Sequence, residues 1–172
     1  MTRARDDRGF ETRAIHAGQD PDPFTGAVVP PISISTTFAQ QGVGRHHGWE
    51  YSRSANPTRA SLELCLASLE GARHGFAFAS GLAAEDAVLR QLPLGAGIAL
   101  GGDAYGGTFR LIDKVYGAGG HPWAPVDLTD PGGLAKNWPA GTKVVWAETP
   151  TNPAMAIVDI AAVAAVAHEH GA

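Results

Sequence analysis

An α/β fold is the class this sequence predicts. Three observations predict it: short apolar segments alternate with helical periodicities from residue 75 onward, a β-branched and aromatic run stands at Val144-Val145-Trp146, and an alanine and valine stripe follows it at helical spacing.

The elements can be justified in order. Residues 1–26 are polar, mix charges of both signs and contain Pro21, Pro23 and Gly26, so an irregular arm without its own core is expected. Residues 27–38 read as extended, with Pro30-Pro31 excluding helix, and 41–50 read as a Gly- and His-rich loop. Asn56 is a good N-cap and Pro57 suits the first helical position. Leu62, Leu66 and Leu69 then repeat at helical spacing until Gly71 stops the run. Beyond it, 75–79 reads as a short buried strand, 81–92 as helix and 97–100 as strand. Residues 108–116 read as helix, 121–126 and 143–148 as strands, and 159–170 as a helix stopped by Gly171. A crossover helix needs a following parallel strand to pack beside, so the pattern also leads us to expect a chain cut short of its full sheet. The domain reading is an arm and extended segment over 1–57 and the first part of a larger domain over 58–172.

Bulk properties narrow the function. With 172 residues and an apolar fraction of 44%, one compact core is the default. A net charge of −4 without a basic run argues against nucleic acid or an anionic membrane as partner. The single cysteine, Cys65, lies between two leucines and reads as core. No apolar run reaches the length of a membrane span, and the first ten residues are too charged for a secretory signal, so the cytoplasm is the expected compartment.

Four clusters carry chemistry. Ser80-Gly81 lies between an apolar segment and a helix, so the amides of Gly81, Leu82 and Ala83 would face outward where a phosphate can sit; ordinary turn chemistry is the alternative. Asp103-Ala104-Tyr105-Gly106-Gly107-Thr108-Phe109-Arg110 follows a strand end, the place where open α/β sheets bind ligands. Glu148-Thr149-Pro150-Thr151-Asn152-Pro153 also follows a strand, and its prolines would hold Asn152 at the same edge. In Glu50-Tyr51-Ser52-Arg53, a tyrosine and an arginine two residues apart in an extended segment project to one side, as a phosphate would want. The second and third could equally be a packed loop or a plain turn, and the fourth by itself would usually be a solvated surface pair. His46-His47 and His168 with His170 lack a third ligand nearby and read as surface histidines, so no metal is expected.

Taken together, Tyr-Ser-Arg with Asn-Pro-Thr, Ser-Gly-Leu-Ala-Ala, Asp-Ala-Tyr-Gly-Gly-Thr-Phe-Arg and Glu-Thr-Pro-Thr-Asn-Pro, in this order and spacing, resemble the Cys/Met-metabolism family of pyridoxal 5′-phosphate (PLP) enzymes. The resemblance runs from about Thr12 to the last helix. It implies the aspartate-aminotransferase type I fold, here as the arm and about half of the large domain. Residues 105–114 look most like the branch of bacterial cystathionine γ-synthases and γ-lyases. The glycine at 107, where methionine γ-lyases usually carry cysteine, counts against that other branch.

The resemblance further implies that PLP is the cofactor, held non-covalently at best by these residues alone. It implies that the amides of Gly81 and Leu82 hold the cofactor phosphate, and that Tyr105, the catalytic candidate, stacks on the ring. Tyr51 and Arg53 would reach the phosphate of a neighbouring subunit, so a full site needs at least a dimer, and a homodimer or homotetramer is implied for the complete enzyme. Asn152 and Arg110 match positions that bind substrate carboxylates on a small amino-acid substrate. Ser54 stands where some γ-synthases carry a substrate-binding arginine, so an acyl-homoserine preference does not carry over. PLP chemistry also needs a lysine for the cofactor aldehyde and an aspartate at the pyridine nitrogen. Lys114, Lys136 and Lys143 stand outside the family's Ser-x-x-Lys setting and read as surface residues. The expected function is γ-replacement or γ-elimination on a homoserine ester or cystathionine in the complete enzyme, with this part inactive alone. The rival is a non-catalytic remnant or interaction module. In the implied fold, the neighbour of the 75–79 strand comes from much later in the sequence, so that strand is expected to be frayed or mispaired here.

Overall fold

The computed structural model describes residues 7–172, and the start of the arm, residues 1–6, lies outside the described residues. The chain divides into two compact units between Ala77 and Phe78.

The first unit contains helix α1 (Phe10–His16), strands β1 (Gln40–Gly42) and β2 (Arg45–His46), and helix α2 (Pro57–Leu69). The expected irregular lead-in is therefore corrected: it contains a helix, held against α2 by tertiary contacts that no local signal announces. Arg13 Nη1 donates to the Ser68 carbonyl, and Ser61 Oγ donates to the Gly18 carbonyl at 2.6 Å. Gly18 makes the approach possible, since its φ is +74° and an added Cβ would stand 2.4 Å from the Ser61 carbonyl oxygen. Cys65 is half-buried, with its thiol facing the Ala14 carbonyl. The expected loop at 41–50 is corrected too, because β1 and β2 pair antiparallel across a turn through Val43 and Gly44. The extended reading of 27–38 fits the bridge between Thr37 and Tyr51.

Helix α2 begins as its sequence requires. Asn56 is extended, its side-chain oxygen accepts the Thr58 amide at 2.9 Å, and Pro57 occupies the first turn. Its leucine stripe is less covered than the periodicity implies, for Leu62, Leu64 and Leu66 are all exposed and Ala67 alone is buried. Residues 75–79 form no ladder among the described residues. Gly75 instead runs against α2, where an added Cβ would meet the Glu63 carbonyl oxygen at 2.4 Å, and the Ala77 amide donates to Glu63 Oε1 at 3.0 Å. The buried strand expected there is thus corrected to an extended segment lacking a partner strand, with Phe76 exposed.

The second unit is a three-layer α/β/α body. Strands β3 (Gly97–Gly101), β4 (Trp123–Val126) and β5 (Thr142–Trp146) form a parallel sheet in the order β4-β3-β5. In register, Ile98 faces Val144, Ala99 faces Val145 and Leu100 faces Trp146. Alternation along the strands therefore feeds two cores. On one face Ile98 and Leu100 pack with Leu89 of helix α3 (Gly81–Leu89), and with Ile112 and Tyr116 of the segment that continues helix α4 (Gly106–Leu111). On the other face Leu128, Leu134 and Val158 join Val163 of helix α6 (Ile160–Glu169), with Val126 and Val145 from the sheet. Helix α5 (Pro131–Lys136) is an element the sequence reading left out. Asp130 caps it by accepting the Gly133 amide at 2.9 Å, and Gly132-Gly133 mask the pattern because glycine is a poor helix former. Residues 112–117 widen into a π-helical turn where a single α-helix was expected.

One charged group braces the first of these cores. Asp86 accepts from Arg90 Nε at 2.7 Å on one oxygen and from the Tyr116 hydroxyl at 2.8 Å on the other. Arg90 first, then Tyr116, holds the Asp86 carboxyl below the ordinary carboxylate range. Burial first, then Asp86, raises the Tyr116 phenol, which stays protonated at neutral pH. A depressed folded-state pKa gives stability that is present above the unfolded pKa of about 3.9 and is lost as pH falls through the lower folded value. Asp86→Asn should therefore lose less of its urea midpoint than the unsubstituted chain when pH is lowered from neutrality to about 3. Equal losses in the two proteins would show the carboxylate to be uncoupled from folding.

Candidate functional site

Because β3, β4 and β5 are parallel, their carboxyl ends open on one edge of the second unit, and the loops that follow them line a cavity of about 450 Å³ there. Asp103, Ala104, Asp127, Leu128, Glu148 and Thr151 contribute to its wall. Strand β3 ends at a pair of glycines that bring Asp103 and Tyr105 out to this edge, and β5 delivers the Glu148-to-Pro153 turn beside them. Thr129 donates to Asp127 through both its hydroxyl, at 2.6 Å, and its amide, which lowers the Asp127 pKa.

Helix α3 starts at Ser80, whose side-chain oxygen accepts the Ala83 amide at 3.2 Å and whose carbonyl takes the Ala84 amide. The Gly81 and Leu82 amides have no acceptor among the described residues. Both residues are exposed, and a Cβ at Gly81 would meet nothing within 4 Å. An anion can reach these amides unobstructed. Helices α3 and α4 are joined by Thr108 Oγ1, which donates to Glu85 Oε1 at 3.1 Å.

Tyr105 is about half exposed, and its ring covers Gly107: a Cβ there would fall 2.3 Å from Cε1 of the ring. The glycine that the sequence presents as loop chemistry is therefore what gives the aromatic ring its place. Arg110 is exposed on α4 with its guanidinium near Gly106, and Asn152 is exposed in the turn after β5. Thus Tyr105 and Asn152 come from the loops after β3 and β5, and Arg110 from the helix that follows Tyr105. In the first unit, Tyr51 and Arg53 also meet, with the guanidinium carbon 4.8 Å from the ring centroid. They do so through a turn at 52–54 rather than by the strand alternation expected. His170 stacks on Trp138 at 4.3 Å, and His46 accepts the Gly48 amide, so both histidine pairs have local partners. Among the described residues no cluster of three metal-ligating side chains occurs, and no helix is long and apolar enough to cross a membrane.

The model for Cys/Met metabolism PLP-dependent enzymes matches residues 11–172. The chain belongs to this PLP-dependent family. It is 48% identical to a probable cystathionine gamma-synthase of Herpetosiphon aurantiacus over 96% of this chain and 52% of the relative. Identity to the human cystathionine gamma-lyase is also 48%, over 94% of this chain and 40% of that protein. Among solved structures, metB from Corynebacterium glutamicum superposes with a TM-score of 0.89 at 45% identity, covering 98% of this chain and 44% of that one. The chain spans about half the length of the curated relatives it matches. It carries the α/β fold of PLP-dependent enzymes in that partial form, as its parallel sheet and these neighbours show.

The residues present fit part of what the PLP-dependent family's cofactor needs. Free amides at the start of α3 suit a phosphate, and an exposed ring resting on Gly107 suits a flat heterocycle. Sequence reasoning left two groups at this edge without a role, Asp103 and Glu148, although both stand inside motifs it singled out. The available signal was a carboxylate in each turn, directly after a strand.

Proposed function

We infer that this chain supplies the phosphate anchor and ring clamp of an enzyme that carries out γ-replacement or γ-elimination on a homoserine ester or cystathionine. The observation that carries the reading is the open first turn of α3, with unpaired Gly81 and Leu82 amides, in the same unit as the Tyr105 ring. Gly81 and Leu82 hold the phosphate, Tyr105 orients the ring by stacking, and Asn152 with Arg110 receives the substrate carboxylate. Tyr51 and Arg53, already paired by stacking, complete the phosphate site of a second copy, so the working enzyme is at least a dimer. The bound cofactor supplies an electron sink for charge that develops on the substrate. Lys114, Lys136 and Lys143 are all exposed, and Lys114 pairs with Asp113 at 2.7 Å, which supports reading none of them as the lysine for the cofactor aldehyde. An interaction module without catalysis is the second reading, favoured only by the half-length coverage.

A chimera separates the two. Residues 11–172 would replace the matching segment of the Corynebacterium glutamicum relative, and the purified protein would be assayed with a homoserine ester plus cysteine and with cystathionine. Turnover above free PLP, with weaker cofactor binding in the Arg53→Ala chimera, is the expected result. A folded, PLP-loaded chimera with neither activity would overturn the enzymatic reading, and unchanged PLP affinity in Arg53→Ala would overturn the role in the second copy's site.

A further inference from the structure

The loops after β3 and β5 each send a carboxylate to the other. From the β5 loop, Glu148 Oε2 accepts the backbone amide of Tyr105 at 2.9 Å. From the β3 loop, Asp103 Oδ2 accepts both the Thr151 hydroxyl, at 2.5 Å, and the Ala154 amide, at 2.9 Å. These contacts link residues 43 to 51 positions apart in sequence, and all three end on a carboxyl oxygen.

The turn that Asp103 grips is already a rigid piece. Thr151 and Ala156 exchange bonds, the Thr151 amide going to the Ala156 carbonyl at 2.9 Å and the Ala156 amide to Thr151 Oγ1 at 2.8 Å, while the Met155 amide reaches the Thr151 carbonyl at 3.1 Å. Thr151 is buried, whereas Asn152 between the two gripped residues is exposed. Asp103 therefore does not fold the turn; it sets where the turn sits. Glu148 likewise holds Tyr105 by its backbone and leaves the ring free to stack.

We propose that Asp103 and Glu148 are positioning residues that form a reciprocal carboxylate latch, holding the Tyr105 ring and Asn152 in register across the mouth of the site. The role given to those two targets rests on the function proposed above, but the latch itself does not. A carboxylate suits the task at Asp103 because one acceptor-only oxygen takes two donors without presenting a hydrogen of its own.

The experiment is site-resolved amide hydrogen exchange by NMR on the full 172-residue chain, combined with absorbance titration by PLP. Glu148→Ala should speed exchange at the Tyr105 amide by about tenfold or more, and Asp103→Ala should do the same at Ala154, while Ile98 to Leu100 in β3 stay slow. Glu148→Gln and Asp103→Asn keep an acceptor oxygen and should stay within about threefold of the unsubstituted chain at those amides. PLP binding should weaken in both alanine variants and recover in the amide variants. Unchanged exchange at Tyr105 and Ala154, or acceleration spread equally through β3, would overturn the latch. Accelerated loops with unaltered PLP affinity would support the latch and count against Tyr105 as the cofactor's clamp.

Discussion

Leu100→Ala should lower the unfolding free energy of the second unit by about 3 to 5 kcal/mol, near the upper end for large-to-small core changes. The side chain is 2% exposed at the centre of the middle strand, enclosed by Leu89, Ile98, Ile112 and Tyr116. Neighbours on a sheet and on a π-helical turn cannot collapse easily into the space left, so the cavity penalty adds to the lost transfer energy. Domains of this size are stable by roughly 5 to 15 kcal/mol, so the variant should have a small margin or none. Urea unfolding followed by tryptophan fluorescence reads this directly, because Trp123 and Trp146 pack against the same core. A midpoint shift worth under about 1 kcal/mol would show that the cluster is not the stabilising centre of the unit.

The second large effect concerns chemistry. The 172-residue chain mixed with PLP should turn over cystathionine no faster than free PLP does. Covalent catalysis with this cofactor needs a placed amine and a charge at the pyridine nitrogen, and the three lysines here are solvated on α5, on β5 and on the turn beside Asp113. An anchor made of helix amides contributes only about 1 to 2 kcal/mol per well-placed charge, so binding should be weak and exchangeable. Dialysis, borohydride reduction and peptide mapping should find label scattered over exposed lysines. One lysine labelled stoichiometrically, with turnover above free PLP, would refute this expectation.

Much of the second unit could be read from sequence because its elements are dictated locally. Val144, Val145 and Trp146 are strand formers whichever partner they meet, and Asn56-Pro57 starts a helix with its own side chain. What escaped was decided by tertiary partners. Helix α1 depends on Arg13 and Gly18 meeting α2, and β1 with β2 depends on a turn at Val43-Gly44 inside a stretch rich in glycine and histidine. Residues 75–79 show the converse: a strand-like composition without a ladder is only an extended segment. At the site, the motifs pointed to Tyr105, Asn152 and Gly81, whose types announce stacking, hydrogen bonding and backbone access. They gave no role to Asp103 and Glu148, since a buttress is recognised only when the group it supports is seen beside it.

The sheet order β4-β3-β5 also leaves two edge strands among the described residues. Its two outer strands each present a row of backbone donors and acceptors that no other described strand takes up. On the β5 side that row belongs to Thr142–Trp146, a β-prone stretch in which Lys143 is the single charge. Edges of this kind favour pairing with a further strand, and a charged side chain such as Lys143 on the edge strand disfavours it.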